Sequence, residues 1–268
     1  MKKYYFIAGL HRSGVTLLSS ILNQNPRFYS GPLSPVLGIM KNIENNIDKL
    51  EYYKSSPKPG SAYKIISSII ENYYYDIDHP VIFDKNRDWP AHINYIEQYI
   101  GQRAKIICPV RDISEILASF LTLINRTYDG INFNTIDMGV IEKKFPLTDY
   151  NRCDVILDTI LGNAMDSMRF PFENNLLDRI LFIEYKDLVS SPRNTMKRVY
   201  NFLGEVEYEH NFDYIENFNV VADTDIGYYK LPGLHDIRSK IEYQSKDPEE
   251  VLPEEILERC RGMEFWRN

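Results

Sequence analysis

Four groups of residues have the types and spacing to hold a polyanion. Gly9-Leu10-His11-Arg12-Ser13-Gly14-Val15-Thr16 follows a short apolar run and precedes a helical pattern. Glycines there let the backbone curl so that successive N–H groups face an anion, and the helix N-terminus adds its positive dipole. The Walker pattern needs Gly-Lys-Ser/Thr, but Val15 stands where that lysine would be, and Arg12 supplies the cation inside the loop instead. Arg111 offers a planar fork suited to a phosphate, and Ser119, about two turns into the next helix, adds a hydroxyl. Lys85 closes a further apolar run.

These residues need a scaffold that brings them to one rim. Tyr4 to Ala8, Val81 to Phe83, Lys105 to Val110 and Ile180 to Ile183 read as buried strands. Helical spacing follows at residues 16–25, over much of 35–77, at 90–99, from Asp112 (an N-cap) to about 125, and at 152–169. Ser191-Pro192 opens another helix, which Gly204 closes. Residues 128–149 have little periodicity and read as a loop or lid. The pattern predicts an α/β fold, with a central parallel sheet covered by helices on both faces. One domain over 1–268 is expected, with an α/β core over 1–204 and an irregular cap over 205–268. Ligands of such sheets bind at the carboxyl ends of strands, where the loop, Lys85, Arg111 and Tyr185 all fall.

Composition limits the function classes. The 268 residues carry 31 Lys+Arg against 38 Asp+Glu, a formal net charge of −7, which argues against a broad grip on nucleic acid or an anionic membrane. The 44% hydrophobic and 26% charged content is that of a globular protein. No long uncharged apolar run is present, and the charged loop after Ala8 is unlike an export signal, so a cytoplasmic location is expected. Cys108, Cys153 and Cys260 form no CxxC pair, and the five histidines are scattered, so neither a disulfide framework nor a metal site is expected.

On these motifs the chain resembles the sulfotransferases that use 3′-phosphoadenosine 5′-phosphosulfate (PAPS). Residues 6–18, around the glycine loop, look like that family's 5′-phosphosulfate loop. Pro109-Val110-Arg111-Asp112-Ile113-Ser114-Glu115-Ile116-Leu117-Ala118-Ser119 looks like its 3′-phosphate motif, and Ile183-Glu184-Tyr185-Lys186-Asp187-Leu188 resembles a third segment. The likeness runs in order over roughly residues 4–204 and is nearest the branch of tyrosylprotein and carbohydrate sulfotransferases. It implies PAPS as co-substrate with no metal. His11, Arg12, Ser13, Gly14, Val15, Thr16 and Leu17 would hold the 5′-phosphosulfate, and Arg111 and Ser119 the 3′-phosphate. Tyr185 would lie against the nucleotide, Arg238 and Lys240 would close over it, and Arg12 and Lys85 would assist departure of the sulfuryl group. The acceptor would be a hydroxyl on a sugar, a protein tyrosine or a small molecule.

Two positions depart from the family pattern. Val15 replaces a threonine, and residues 30–34 have no carboxylate where the branch has its glutamate base. Asp84, Asp88, His92 and Glu184 are the alternatives for that base. A nucleotide kinase or NTPase, suggested by Val81-Ile82-Phe83-Asp84, is one rival reading, and an inactive nucleotide-binding relative is another.

Overall fold

The computed structural model describes residues 2–127, 133–217, 230–231, 233–234, 239–243 and 246–267. Five parallel strands form one sheet: β1 (Lys3–Ile7), β2 (Phe28–Leu33), β3 (Val81–Lys85), β4 (Ile106–Val110) and β5 (Ile180–Glu184), in the order β2-β3-β1-β4-β5. Four of them lie where the apolar runs predict. β2 is the addition. Its Gly31-Pro32 dilutes the strand signal, and a proline is tolerated because this strand is at the sheet edge. The pairing with β3 shifts register between Ser30 and Leu33, which brings Leu33 beside Lys85.

Side chains alternate across the sheet. Tyr4, Phe6 and Ala8 of the first run enter one apolar layer, and Tyr5 and Ile7 the other. The first layer is covered by helices Val36–Ile47, Ser61–Tyr73 and Ile113–Thr127 and by the helical stretch from Asp149 to Glu173; the second by Val15–Leu22 and Pro192–Leu203. Burial on both faces explains why the strands read as continuous apolar runs. All three cysteines are buried and free.

Two regions differ from the expectation. Within 128–149 the chain forms a helix, Thr135–Glu142, in which Asn134 caps the N–H groups of Ile136 and Asp137. Gly139 and β-branched residues mask its periodicity. Beyond Glu205 the chain is less irregular than its polarity suggests. Short helices Pro248–Val251 and Glu254–Cys260 and the turn Phe265–Arg267 deliver Leu252, Ile256, Cys260 and Trp266 to the first core layer.

Candidate active site

The strands end in two steps: Ile7 pairs with Lys85 and with Ile107, while β4 and β5 run on together to Val110 and Glu184. Above them opens a cleft of ≈ 1460 Å³, beyond the roughly 300–1,000 Å³ that holds one small ligand. Among the described residues, six cationic side chains line it, Arg12, Lys85, Arg87, Arg111, Lys230 and Lys240, against three carboxylates, Asp88, Glu142 and Glu242. An acidic protein thus has a basic cleft.

The loop between β1 and helix Val15–Leu22 depends on its two glycines. Gly9 has φ +105°, and a Cβ there would sit 2.4 Å from the Pro109 carbonyl oxygen. Gly14 has φ +88°, and its Cβ would meet the Tyr185 ring at 2.8 Å. Arg12 itself takes a positive φ of 57°. Ser13 turns under the loop, fully buried, with its hydroxyl against the carbonyls of Leu10 (2.6 Å) and Pro109 (2.8 Å). The side chain pins the loop to β4, and Ser13, expected at the 5′-phosphosulfate, does not line the cleft. His11, Gly14, Val15, Thr16 and Leu17 line the cleft.

Arg12 points away from the loop. Its Nε donates to Ser119 Oγ at 3.0 Å, and its guanidinium also bonds the Leu234 carbonyl. This guanidinium therefore joins the Arg111 and Ser119 group rather than standing over the loop. Arg111 is buried, donates to the Arg12 carbonyl (3.2 Å) and to Glu115 (2.7 Å), and stacks 4.5 Å from the Tyr185 ring centroid. Tyr243 donates to the other oxygen of Glu115 at 2.6 Å.

Lys85 is 6% exposed, and its Nζ donates to Ser19 Oγ at 3.3 Å. Burial, with a smaller contribution from Arg87, pulls its pKa down to about 7. Asp84, Asp88, His92 and Glu184 separate clearly. Asp84 is fully buried beneath the rim and accepts from Trp89 Nε1 (2.7 Å), Tyr74 (2.9 Å) and Ser34, with burial raising its pKa. Glu184 is held by Trp266 (3.1 Å) and bidentately by Arg267, outside the cleft. His92 does not line the cleft and bonds the Asp88 carbonyl. Asp88 is the one of the four that lines it.

Residues 5–209 match the family model described as "Sulfotransferase family". The chain belongs to the sulfotransferase family. The resemblance carried by the loop and the Arg111 to Ser119 motif agrees with this match. Among curated proteins none matches the sequence. Among solved structures the chain is similar to the sulfotransferase STF9 from Mycobacterium avium (TM-score 0.46, 13% identity, 76% of this chain and 64% of that one). It is also similar to the sulfotransferase domain of the Synechococcus PCC 7002 olefin synthase (0.47, 17%, 98% and 88%) and to that from the curacin biosynthetic pathway (0.49, 16%, 99% and 92%). The chain spans less than two thirds of the Mycobacterium protein's length.

Tyr185 of this family member fills the space between Gly14, Arg111 and Tyr243, whose ring centroid is 5.8 Å away. Lys240 is exposed and lines the cleft, whereas Arg238 lies outside the described residues. Among the described residues no group of three His, Cys, Asp or Glu is placed to hold a metal, and no helix is long and apolar enough to cross a membrane. The sequence leaves one wall unread: residues 32–35, the helix Thr135–Glu142 and the stretch 155–164. That last stretch contains a π-helical turn, Ile156–Leu161, a form enriched at functional sites and without a sequence signature.

Proposed function

We propose that the chain transfers a sulfuryl group from PAPS to a hydroxyl acceptor. The observation that carries this reading is the pairing of a glycine loop with a second, separate cation group, Arg12 and Arg111 beside Ser119. Two anion sites on one rim suit a nucleotide phosphorylated at both 3′ and 5′ positions. The donor set fits. Backbone N–H groups of 13–17 at the helix start would hold the 5′ end, and Arg111 with Ser119 the 3′-phosphate. Tyr185 and Lys240 would bound the nucleotide side.

When bound, PAPS supplies the sulfuryl group and the leaving bisphosphate. Lys85, near neutrality in the free protein, gains its proton as an anion arrives and presents positive charge to the departing oxygen. Arg12 begins on Ser119 and Leu234, which ties the loop to the late segment. Asp88 and Glu142 are the carboxylates of the acceptor side and would take the acceptor proton.

The test is thermal stabilisation by adenosine 3′,5′-bisphosphate against ATP with Mg²⁺. The reading requires a shift with the bisphosphate that Arg111→Ala reduces. A shift with ATP and Mg²⁺ alone refutes it.

A further inference from the structure

The sheet order sets an order along the rim. From one side it runs Tyr185 after β5, Arg111 after β4, the glycine loop after β1, Lys85 at the end of β3, and Leu33 at the end of β2. Arg87 lies close enough to Lys85 to depress its pKa, so both belong to the anion end. Beyond them the wall changes character. Ser167 holds the backbone of Arg87 (3.0 Å) and Ala91 (3.2 Å), which stands the helix Gly162–Glu173 and its preceding turn beside β3. Helix Thr135–Glu142 packs close to that turn, since a Cβ on Gly139 would meet Val155 at 3.1 Å.

Residues 32–35, 135–142 and 155–164 contain no Lys, Arg, His, Phe, Tyr or Trp. Where they line the cleft they present apolar Leu33, Met138, Ile160 and Ala164, interspersed with small polar side chains, Ser34, Thr135, Thr159 and Asn163. Leu33 and Met138 keep 47% and 43% of their surface exposed. The one charged side chain these stretches present to the cleft is a carboxylate, Glu142, and Arg87 and Asp88 stand beside them. A sugar ring calls for an aromatic platform, and these stretches contain none. A sulfated glycan or a tyrosine among acidic residues calls for cations, and would meet carboxylates instead. An aliphatic chain needs only apolar wall and one polar group at its hydroxyl.

We propose that the acceptor is an uncharged aliphatic alcohol, its chain lying along Leu33, Met138 and Ile160 and its hydroxyl turned toward Lys85. This rests on the sulfuryl-transfer reading but fails separately from it. Calorimetric titration of 1-butanol, 1-hexanol and 1-octanol, each into the protein with adenosine 3′,5′-bisphosphate, should show binding about fourfold tighter per added methylene. Octanol binding should carry a negative heat-capacity change. Met138→Lys should weaken 1-octanol about tenfold or more while leaving bisphosphate affinity unchanged. A flat chain-length series, or tighter binding of methyl β-glucoside or of an acidic tyrosine peptide, overturns the proposal. If the bisphosphate fails to bind, the donor reading falls, and the alcohol series run without it still decides the acceptor wall.

Discussion

On the proposed reading, Lys85 should make nucleotide binding a proton-uptake reaction. Its pKa is about 7 in the free protein because the ammonium is buried, and a polyanion beside it restores the charged form. At ~pH 8 about nine tenths of the side chain is then neutral before binding. Each bisphosphate bound should therefore bring in about 0.9 proton through Lys85, and affinity should fall about tenfold between ~pH 6 and ~pH 8, equivalent to about 1.4 kcal/mol. Titration calorimetry in two buffers of different ionisation enthalpy counts the protons, and Lys85→Met subtracts those carried by the ligand's own phosphates. The same lysine tilts stability. Between about 7 and its ordinary 10.5 the unfolded chain holds the proton that the folded chain lacks, so its contribution rises with pH across that window, and Lys85→Met should flatten the rise. Equal proton uptake by wild type and variant refutes the assignment of Lys85 to the anion site.

Three further outcomes are expected. Gly14→Ala should cost about 1–3 kcal/mol in denaturant unfolding and weaken bisphosphate binding, and Gly9→Ala should cost more because backbone blocks its Cβ. Arg152→Met should destabilise by about 3–5 kcal/mol. It strands Asp137, which is fully buried and bonded to Arg152 at 2.7 Å and to Asn134 at 2.7 Å, and the acceptor-side helix should loosen in hydrogen exchange. The double variant Asp88→Asn with Glu142→Gln should lose about 100-fold or more in sulfate transfer. One of the single variants should carry most of that loss, and full retention in the double variant refutes a carboxylate base.

What the sequence makes legible is what rests on neighbours in the chain. The glycine loop, four strands and the helix closed by Gly204 each carry their own local signal, and Gly204 does adopt the left-handed turn at φ 71°. What it hides depends on distant partners. Nothing near Ser13 announces that its hydroxyl turns down onto Pro109, and nothing near Arg12 points to the Leu234 carbonyl. Glu184 looks like a free carboxylate at a strand end until Trp266 and Arg267 arrive from the far end of the sequence. The cleft wall of 32–35 and 155–164 was hidden for another reason: Gly31-Pro32 disguises an edge strand, and a π turn has no period of its own.

The bond from Arg12 to Leu234 spans 222 residues of chain. A ribosome adding about 5–20 residues per second finishes the glycine loop roughly 10–45 seconds before it makes the carbonyl that Arg12 grips. Throughout that interval Arg12 lacks this anchor, while the other four strands of the sheet are still being made, the last ending at Glu184. This part of the cleft therefore has an assembly time set by translation, and a nascent chain stalled before Leu234 would carry the glycine loop with an arginine not yet aimed.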